Sequence, residues 1–174
     1  MRLLENDAVR LRALEPEDLD MLHTWENDTR LWQYGSTLTP YSRFALKSYL
    51  EEARLDIFQT KQLRLMIVRK PEGRAAGTID LYDFDPANRR AGVGILVDED
   101  DRRQGVASEA LHLIRDYAFR FLGLKQLYAF VPERNEPSLK LFTRCGYRST
   151  GRLTAWIKGE TDFEDVFLMQ LIAP

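Results

Sequence analysis

The chain has 174 residues, of which 44% are hydrophobic and 30% charged, and its formal net charge is −2. This length and composition indicate one globular domain over residues 1–174 and argue against disordered, collagen-like and disulfide-stapled classes. No apolar run approaches the roughly 18–20 residues of a membrane span, and the charge balance disfavours a wide basic face for nucleic acid. Acidic residues near the N-terminus stand where a signal peptide carries its apolar stretch, so we expect a cytoplasmic protein.

The sequence has one cysteine and two histidines. Cys145 has no partner for a disulfide or for a CxxC zinc site, and His23 and His112 lack the HExxH spacing, so we expect no metal site. No histidine follows Cys145 in a suitable motif, which favours a small buried residue over a nucleophile.

The first third of the chain predicts one strand and two helices. Residues 8–14 place Val9 and Leu11 in alternation with arginines, which is the period of a strand. Pro16, with acidic neighbours, opens a helix, and Ser42 begins a second amphipathic helix.

The middle third is rich in strand signals. Residues 63–69, 77–84 and 91–97 predict three strands, and the turns between them contain proline with glycine or asparagine. Short turns between consecutive strands indicate an antiparallel meander.

The last third alternates helices with strands. One apolar stripe over 107–122 predicts the longest helix, followed by a strand over 126–131 and a short helix capped by Asn135. Two closing strands are expected over 148–157 and 163–172. The order β-α-α-β-β-β-α-β-α-β-β predicts a mixed α/β (α+β) domain with about seven mostly antiparallel strands and about four helices.

A predicted strand runs directly into the loop that opens the long helix. The first N–H groups of a helix are unpaired and carry partial positive charge, so such a loop can hold a pyrophosphate. In the pattern Arg102-x-x-Gly105-x-Ala107, the glycine allows close approach, the alanine leaves room, and Arg102 and Arg103 add charge. The pattern alone fits an ordinary helix start equally well, and the GxxxxGK[ST], GxGxxG and GxSxG motifs are absent.

This strand–loop–helix unit resembles the acetyl-CoA pyrophosphate loop of the GNAT N-acetyltransferases. Residues 9–18 are similar to the first strand and helix of the branch that contains ribosomal-protein and spermidine N-acetyltransferases. Residues 88–95 resemble that branch's central strand, and residues 135–147 its second cofactor-binding helix. The resemblance spans nearly the whole chain and implies the GNAT acyl-CoA N-acyltransferase fold, with a splayed sheet.

The resemblance also implies a reaction. An amine would attack the acetyl-CoA thioester directly, without an acyl-enzyme, and the acceptor would be a polyamine such as spermidine or a protein N-terminal α-amine. Pantetheine would add between the fourth and fifth strands, at 95–97 and 128–131, as an extra strand does. The implied cofactor-binding residues are Ile95, Leu96, Val97, Arg102, Arg103, Gln104, Gly105, Val106, Ala107, Ser108, Asn135 and Ser138.

Two departures from the family pattern concern proton transfer. Many members carry a tyrosine general acid in the asparagine-led helix, where this sequence has Phe142. Ser138, or a water it holds, is the expected substitute, and the alternative is a polar residue in a first helical turn. Related enzymes often place a glutamate on the central strand, but residues 91–97 contain no acid. Asp80, which alternates with Thr78 and Tyr82 on one sheet face, is the candidate base, and the alternative is a solvent-facing strand residue.

The acceptor is the least determined part of the prediction. Spermidine N-acetyltransferases carry paired glutamates after the first helices, whereas residues 33–40 here contain no acid. We expect Glu26, Trp32, Tyr34 and Tyr82 to bind the acceptor, although aromatic residues at these spacings also fit a core. Edge strands near the C-terminus would support a homodimer. A non-catalytic acyl-CoA-binding sensor and a nucleotide-phosphate enzyme remain the alternative hypotheses.

Overall fold

The computed structural model describes residues 3–35, 37–159 and 161–174. The strands are β1 Val9–Ala13, β2 Leu63–Arg69, β3 Arg74–Asp85, β4 Arg90–Val97, β5 Gln126–Pro132, β6 Arg148–Lys158 and β7 Phe163–Ile172. The helices are α1 Leu19–Glu26, α2 Thr29–Trp32, α3 Arg43–Glu52, α4 Ile57–Thr60, α5 Val106–Asp116 and α6 Glu136–Arg144. Single 3₁₀ turns at Pro16–Asp18 and Glu99–Asp101 precede α1 and α5.

The strands form one seven-stranded sheet in the order β1-β2-β3-β4-β5-β7-β6. Every neighbouring pair is antiparallel except β4 and β5, which run parallel. These two strands pair only over Arg90, Ala91 and Gly92, opposite Gln126, Leu127 and Tyr128. Beyond Gly92 the strands separate, which confirms the splayed mixed sheet and places the gap just after Tyr128.

Helices cover both faces of the sheet around this gap. On one face, Ile79 and Val93 belong to the main core with Leu111 and Ile114 of α5. On the other face, Met66 packs in a second core with residues of α1 and α3, among them Trp25 and Leu46. Because strand side chains alternate, one strand contributes to both cores.

The predicted strands and both predicted caps are confirmed. Ser42 Oγ accepts from Ala45 N at 3.0 Å, and Asn135 Oδ1 accepts from Ser138 N at 3.3 Å. The prediction of one uniform helix over 107–122 is wrong at its end, since Tyr117–Phe121 is a π-helical turn. An apolar stripe identifies a buried helix face but does not distinguish these helix types.

Two short helices, α2 and α4, were not predicted from the sequence. Each has four residues and is capped by an aspartate, Asp28 or Asp56. Four residues are too few to display helical periodicity. No helix among the described residues is long and apolar enough to cross a bilayer. The same residues contain no group of three or more His, Cys, Asp or Glu side chains arranged to hold a metal ion.

Candidate functional site

The loop before α5 presents free backbone N–H groups at the helix start. Gly105 is the N-cap, adopts φ +81°, and provides no side-chain cap. The first helical backbone bond returns from Glu109 N to Gly105 O at 3.0 Å, so the N–H groups of residues 106–108 have no partner inside the helix. Together with the exposed Arg102 and Arg103, this end of α5 is suited to bind an anion.

A buried carboxylate fixes the shape of the same loop. Asp101 is fully buried and accepts from Arg69 Nη1 at 3.1 Å and from Arg74 Nη2 at 2.6 Å. Arg69 Nη1 also donates to Gln104 Oε1 at 2.8 Å. The side chain of Gln104 therefore braces the loop, and the side chain of Val106 lies in the core. Both residues offer only their backbone to a ligand.

The gap between β4 and β5 leaves one edge of β4 without a strand partner in the described part of the chain. Leu96 pairs with Thr78 of β3 on the other edge, and Val97 pairs with Gly77. Ile95 and Val97 pack on the main core, whereas Leu96 packs on the second core. The backbone of residues 95–97 therefore has no strand partner on its β5 side, where an extended ligand could pair with it. The carbonyl of Val97 accepts a hydrogen bond from Arg102 Nε at 3.1 Å.

Asp80 and Tyr82 face this segment of β4 from the neighbouring strand. Asp80 pairs with Gly94, and Tyr82 pairs with Gly92. A Cβ at Gly94 would lie 3.8 Å from Oδ2 of Asp80 and 3.9 Å from Cε1 of Tyr82. Asp80 and Tyr82, which share a sheet face with Thr78 as expected, thus lie beside the β4 backbone at Gly94 and Gly92, where β4 has no side chains.

An ion triad links the predicted base to the predicted acceptor residue Glu26. Arg64 Nε donates to Asp80 Oδ1 at 2.6 Å, and Arg64 Nη1 donates to Glu26 Oε1 at 2.5 Å. The three side chains are only 13–20% exposed. Burial disfavours the Arg64 charge, but the carboxylates of Asp80 and Glu26 outweigh burial and raise the Arg64 pKa above its ordinary value. Arg64, which no sequence motif singled out, therefore stays cationic.

Tyr82 is held firmly on this face. A Cβ at Gly92 would lie 2.3 Å from Cε2 of Tyr82, so the tyrosine ring covers the β4 backbone where β4 leaves β5. The ring also packs edge-on against Tyr128, with centroids 6.1 Å apart. Burial raises the pKa of the Tyr82 hydroxyl above its ordinary value, and Tyr128 and Asp83 act in the same direction.

Helix α6 carries the residues predicted near the thioester arm. Ser138 lies half-buried in its first turn. Phe142 is buried and packs edge-on against Tyr147 with centroids 4.9 Å apart. Cys145 is buried, as predicted, and Tyr147 is buried as well. The Tyr147 hydroxyl has no hydrogen-bond partner in the described part of the chain.

The predicted acceptor aromatics occupy different environments. Trp32 Nε1 donates to Glu26 O at 2.8 Å and is half-buried. Tyr34 is exposed, and the guanidinium of Arg134 lies 6.0 Å from its ring centroid. Trp25 belongs to the second core, where its Nε1 donates to Asp98. Trp32 is therefore bound to Glu26. Tyr34, which follows α2, contacts Arg134 in the loop before α6.

Comparison with known proteins identifies the family. The acetyltransferase (GNAT) domain model matches residues 8–148. The spermidine N(1)-acetyltransferase of Escherichia coli (strain K12) is 30% identical over 84% of this chain and 76% of that protein. The uncharacterized N-acetyltransferase p20 of Bacillus licheniformis is 28% identical over 99% of this chain and 97% of its own.

Solved structures share the fold. The spermidine N-acetyltransferase from Vibrio cholerae in complex with CoA and spermine has a TM-score of 0.85 at 24% identity, and the match covers 96% of each chain. A dodecameric structure of that enzyme has a TM-score of 0.79 at 23% identity, covering 96% of this chain and 95% of the other. The family match, with the helix start and the splayed strands, confirms the resemblance. This chain belongs to the GNAT family of N-acetyltransferases, enzymes that use acetyl-CoA as their acetyl donor.

Proposed function

We propose that this chain transfers the acetyl group of acetyl-CoA to a primary amine of a polyamine such as spermidine. The observation that carries this proposal is the position of Asp80, whose Oδ2 lies beside the Gly94 backbone at the strand gap. A carboxylate there is suited to hold a cationic amine next to the donor. The similarity to a spermidine N(1)-acetyltransferase supports the same substrate class.

The proposed donor site uses the backbone more than side chains. Acetyl-CoA supplies the thioester that is attacked. The pyrophosphate of its CoA part would rest on the N–H groups of residues 105–108, with Arg102 and Arg103 alongside. The free edge of residues 95–97 would pair with its amide groups. Asn135 and Ser138 would lie near the thioester arm, where the sequence pattern alone favoured Ser138 as the catalytic residue.

Asp80 would hold and orient the attacking amine. An alkylamine with an ordinary pKa near 10.4 must lose a proton before attack, which costs about 4–5 kcal/mol at pH 7. Arg64 occupies Oδ1 of Asp80, so Oδ2 is the oxygen available to accept that proton. Glu26 shares Arg64 and adds a second carboxylate for a second ammonium group of the acceptor.

The first experiment is thermal unfolding with and without acetyl-CoA, followed by an amine panel. A specific ligand at about 100 times its Kd stabilises a protein by roughly 2.7 kcal/mol. We expect such a shift, and we expect spermidine to show a higher kcat/KM than butylamine or a peptide with a free N-terminus. A thermal shift without turnover on any amine would favour the sensor alternative, and the absence of a shift would refute the donor site.

Self-association is a further part of the proposal. Strand β6 lies at the outer edge of the sheet and exposes Trp156, and an exposed edge with an aromatic residue favours pairing with another copy. Light scattering coupled to gel filtration would test this, and a monomer at micromolar concentration would contradict it.

A further inference from the structure

We propose that the Tyr82 hydroxyl donates the proton that the departing CoA thiolate requires. This inference rests on the proposed function and concerns the role that a tyrosine in α6 fills in many family members. Phe142 stands at that place and has no proton to give. The structure offers another phenol at the same gap, reached from the opposite face of the sheet.

The position of Tyr82 is set by strand geometry. It is the last regularly paired β3 residue before an irregularity in the β3–β4 register, where Asp83 adopts φ +48°. Such bulges redirect side chains and occur often beside active sites. Its ring crosses β4 at Gly92, where no side chain intervenes.

The Tyr82 side chain reaches the fifth strand, where its ring packs against Tyr128. The backbone N–H of Phe130, on the same strand, slightly offsets the burial that raises the Tyr82 pKa. If the parallel register of β4 and β5 continued beyond Gly92 and Tyr128, Gly94 would lie opposite Phe130. Tyr82 thus bridges from β3 over β4 to β5 at the first position where the two strands have separated. A thioester at the end of a pantetheine chain in this gap would meet the Tyr82 hydroxyl.

The hydroxyl is in the right state to donate. The hydroxyl proton of Tyr82 has no hydrogen-bond acceptor in the described part of the chain, so it is available to a ligand. Burial holds the Tyr82 pKa above its ordinary value, so the group remains protonated across neutral and mildly alkaline pH.

The proton balance of the step is complete. Oδ2 of Asp80 first takes a proton from the ammonium group and passes it to solvent, which leaves a neutral amine. The amine nitrogen then forms a bond to the acetyl carbon and loses its second proton to Asp80. The carbon–sulfur bond breaks and its electron pair goes to sulfur, which takes the proton of the Tyr82 hydroxyl and leaves as free CoA thiol. Solvent carries the proton from Asp80 back to the tyrosinate. No oxidant, reductant or metal takes part.

Two other groups are rivals for this role. Ser138 is an alcohol in the first turn of α6, and a hydroxyl of that kind is a weak acid. The Tyr147 hydroxyl is buried without a partner, and its ring lies in the main core on the α5 face of the sheet. Of these three side chains, only Tyr82 has a ring that crosses β4 at the splay point and packs against a residue of β5, Tyr128.

The decisive variant is Tyr82→Phe, which keeps the ring over Gly92 and removes only the hydroxyl. We expect kcat with spermidine to fall about 100-fold, with little change in the stabilisation by acetyl-CoA. Tyr117→Phe is the matched control, because Tyr117 is a half-buried tyrosine stacked on Phe121 at the far end of α5. This control should keep the wild-type rate.

A change of leaving group separates proton donation from a structural role. A selenoester analogue of acetyl-CoA releases a selenolate, which is a weaker base than a thiolate and needs no proton. The Tyr82→Phe penalty should shrink to a few-fold with this donor, whereas a misplaced ring would slow both donors equally. Equal penalties with the two donors would overturn the inference.

Variants of the three candidate proton donors separate the role of Tyr82 from the proposed function. Full activity in Tyr82→Phe, or a large kcat loss in Tyr147→Phe or Ser138→Ala that also vanishes with the selenoester, would overturn the role of Tyr82 and leave the proposed function standing. Wild-type protein that binds acetyl-CoA but acetylates no amine would remove the proposed function and this inference together.

Discussion

Arg64 Nε donates to Oδ1 of Asp80 at 2.6 Å, and this contact determines which carboxylate oxygen faces strand β4. The other oxygen, Oδ2, lies 3.8 Å from the place where a side chain at Gly94 would begin. Glu26 binds the same guanidinium from α1. A single arginine therefore orients two carboxylates and neutralises only one of them.

Loss of Arg64 should leave two partly buried carboxylates without a partner. We expect Arg64→Met to reduce the free energy of unfolding by about 2–4 kcal/mol, measured by urea denaturation. Arg43→Ala is the control, because the Arg43–Asp20 pair is exposed and should contribute at most about 1 kcal/mol. Equal effects of the two substitutions would show that the triad contributes no more to the free energy of unfolding than an exposed ion pair does.

Asp80→Asn should remove the proton acceptor while preserving the shape of the side chain. We expect kcat/KM for spermidine to fall about 100-fold at pH 7 and acetyl-CoA stabilisation to remain. The deficit should become smaller at high pH, where more of the amine is already neutral. A full rate at every pH would remove Asp80 from the mechanism.

Gly105 should matter for the donor site rather than for packing. A Cβ there meets nothing within 4 Å, but φ is +81°, so Gly105→Ala should cost about 1–2 kcal/mol through the backbone alone. Gly73→Ala is a matched control, with φ +66° and equally open surroundings in a turn. Only the larger Gly105→Trp substitution should abolish stabilisation by acetyl-CoA, and a Gly105→Trp protein that still shifts would refute the proposed phosphate loop.

Gly92 and Gly94 should differ in their tolerance of a side chain. Gly92→Ala would force the Tyr82 ring away and should lower stability by about 1–3 kcal/mol. Gly94→Ala meets its nearest heavy atoms at 3.8 Å and should leave the free energy of unfolding nearly unchanged. Circular dichroism melts of the two variants would reveal the contrast, and similar melting temperatures would argue against the ring position.

Asp18 should make stability fall at acid pH. Its burial raises the pKa, but Arg12 Nη1 and Nη2 donate to it at 2.7 and 2.8 Å and the net effect lowers it below 3.8. The unfolded chain then binds the proton first, so this contribution is present at neutral pH and is lost as pH falls below about 4. Urea titrations from pH 3 to 7 should show a smaller acid loss in Asp18→Asn than in wild type.

Local patterns in the sequence were sufficient for most of the fold. Alternation located Leu63–Arg69 and Phe163–Ile172 to the residue, and side-chain caps marked the starts of α3 and α6. The splay of β4 from β5 came from the family resemblance, because pairing of strands far apart in sequence leaves no periodic signal.

Long-range pairings account for what the sequence did not predict. Arg64 is 38 residues from Glu26 and 16 from Asp80, and only the register of β2 with β3 brings it to the site. Asp101 is one of four consecutive acids in the sequence, yet it is fully buried between two arginines. Neither residue belongs to a sequence motif, and their roles depend on contacts that only the folded chain makes.

The burial of Asp101 has an electrostatic consequence for the adjacent phosphate loop. Residues 98–101 are four consecutive acids placed next to a site that must attract an anion. Asp101 is directed inward to Arg69 and Arg74, and Asp98 accepts from the indole of Trp25. Arg69 and Arg74 thus balance the negative charge of Asp101 inside the protein, while Glu99 and Asp100 remain exposed. Substitution of either arginine should lower CoA affinity, because an unbalanced carboxylate would repel the pyrophosphate and the loop would lose part of its support.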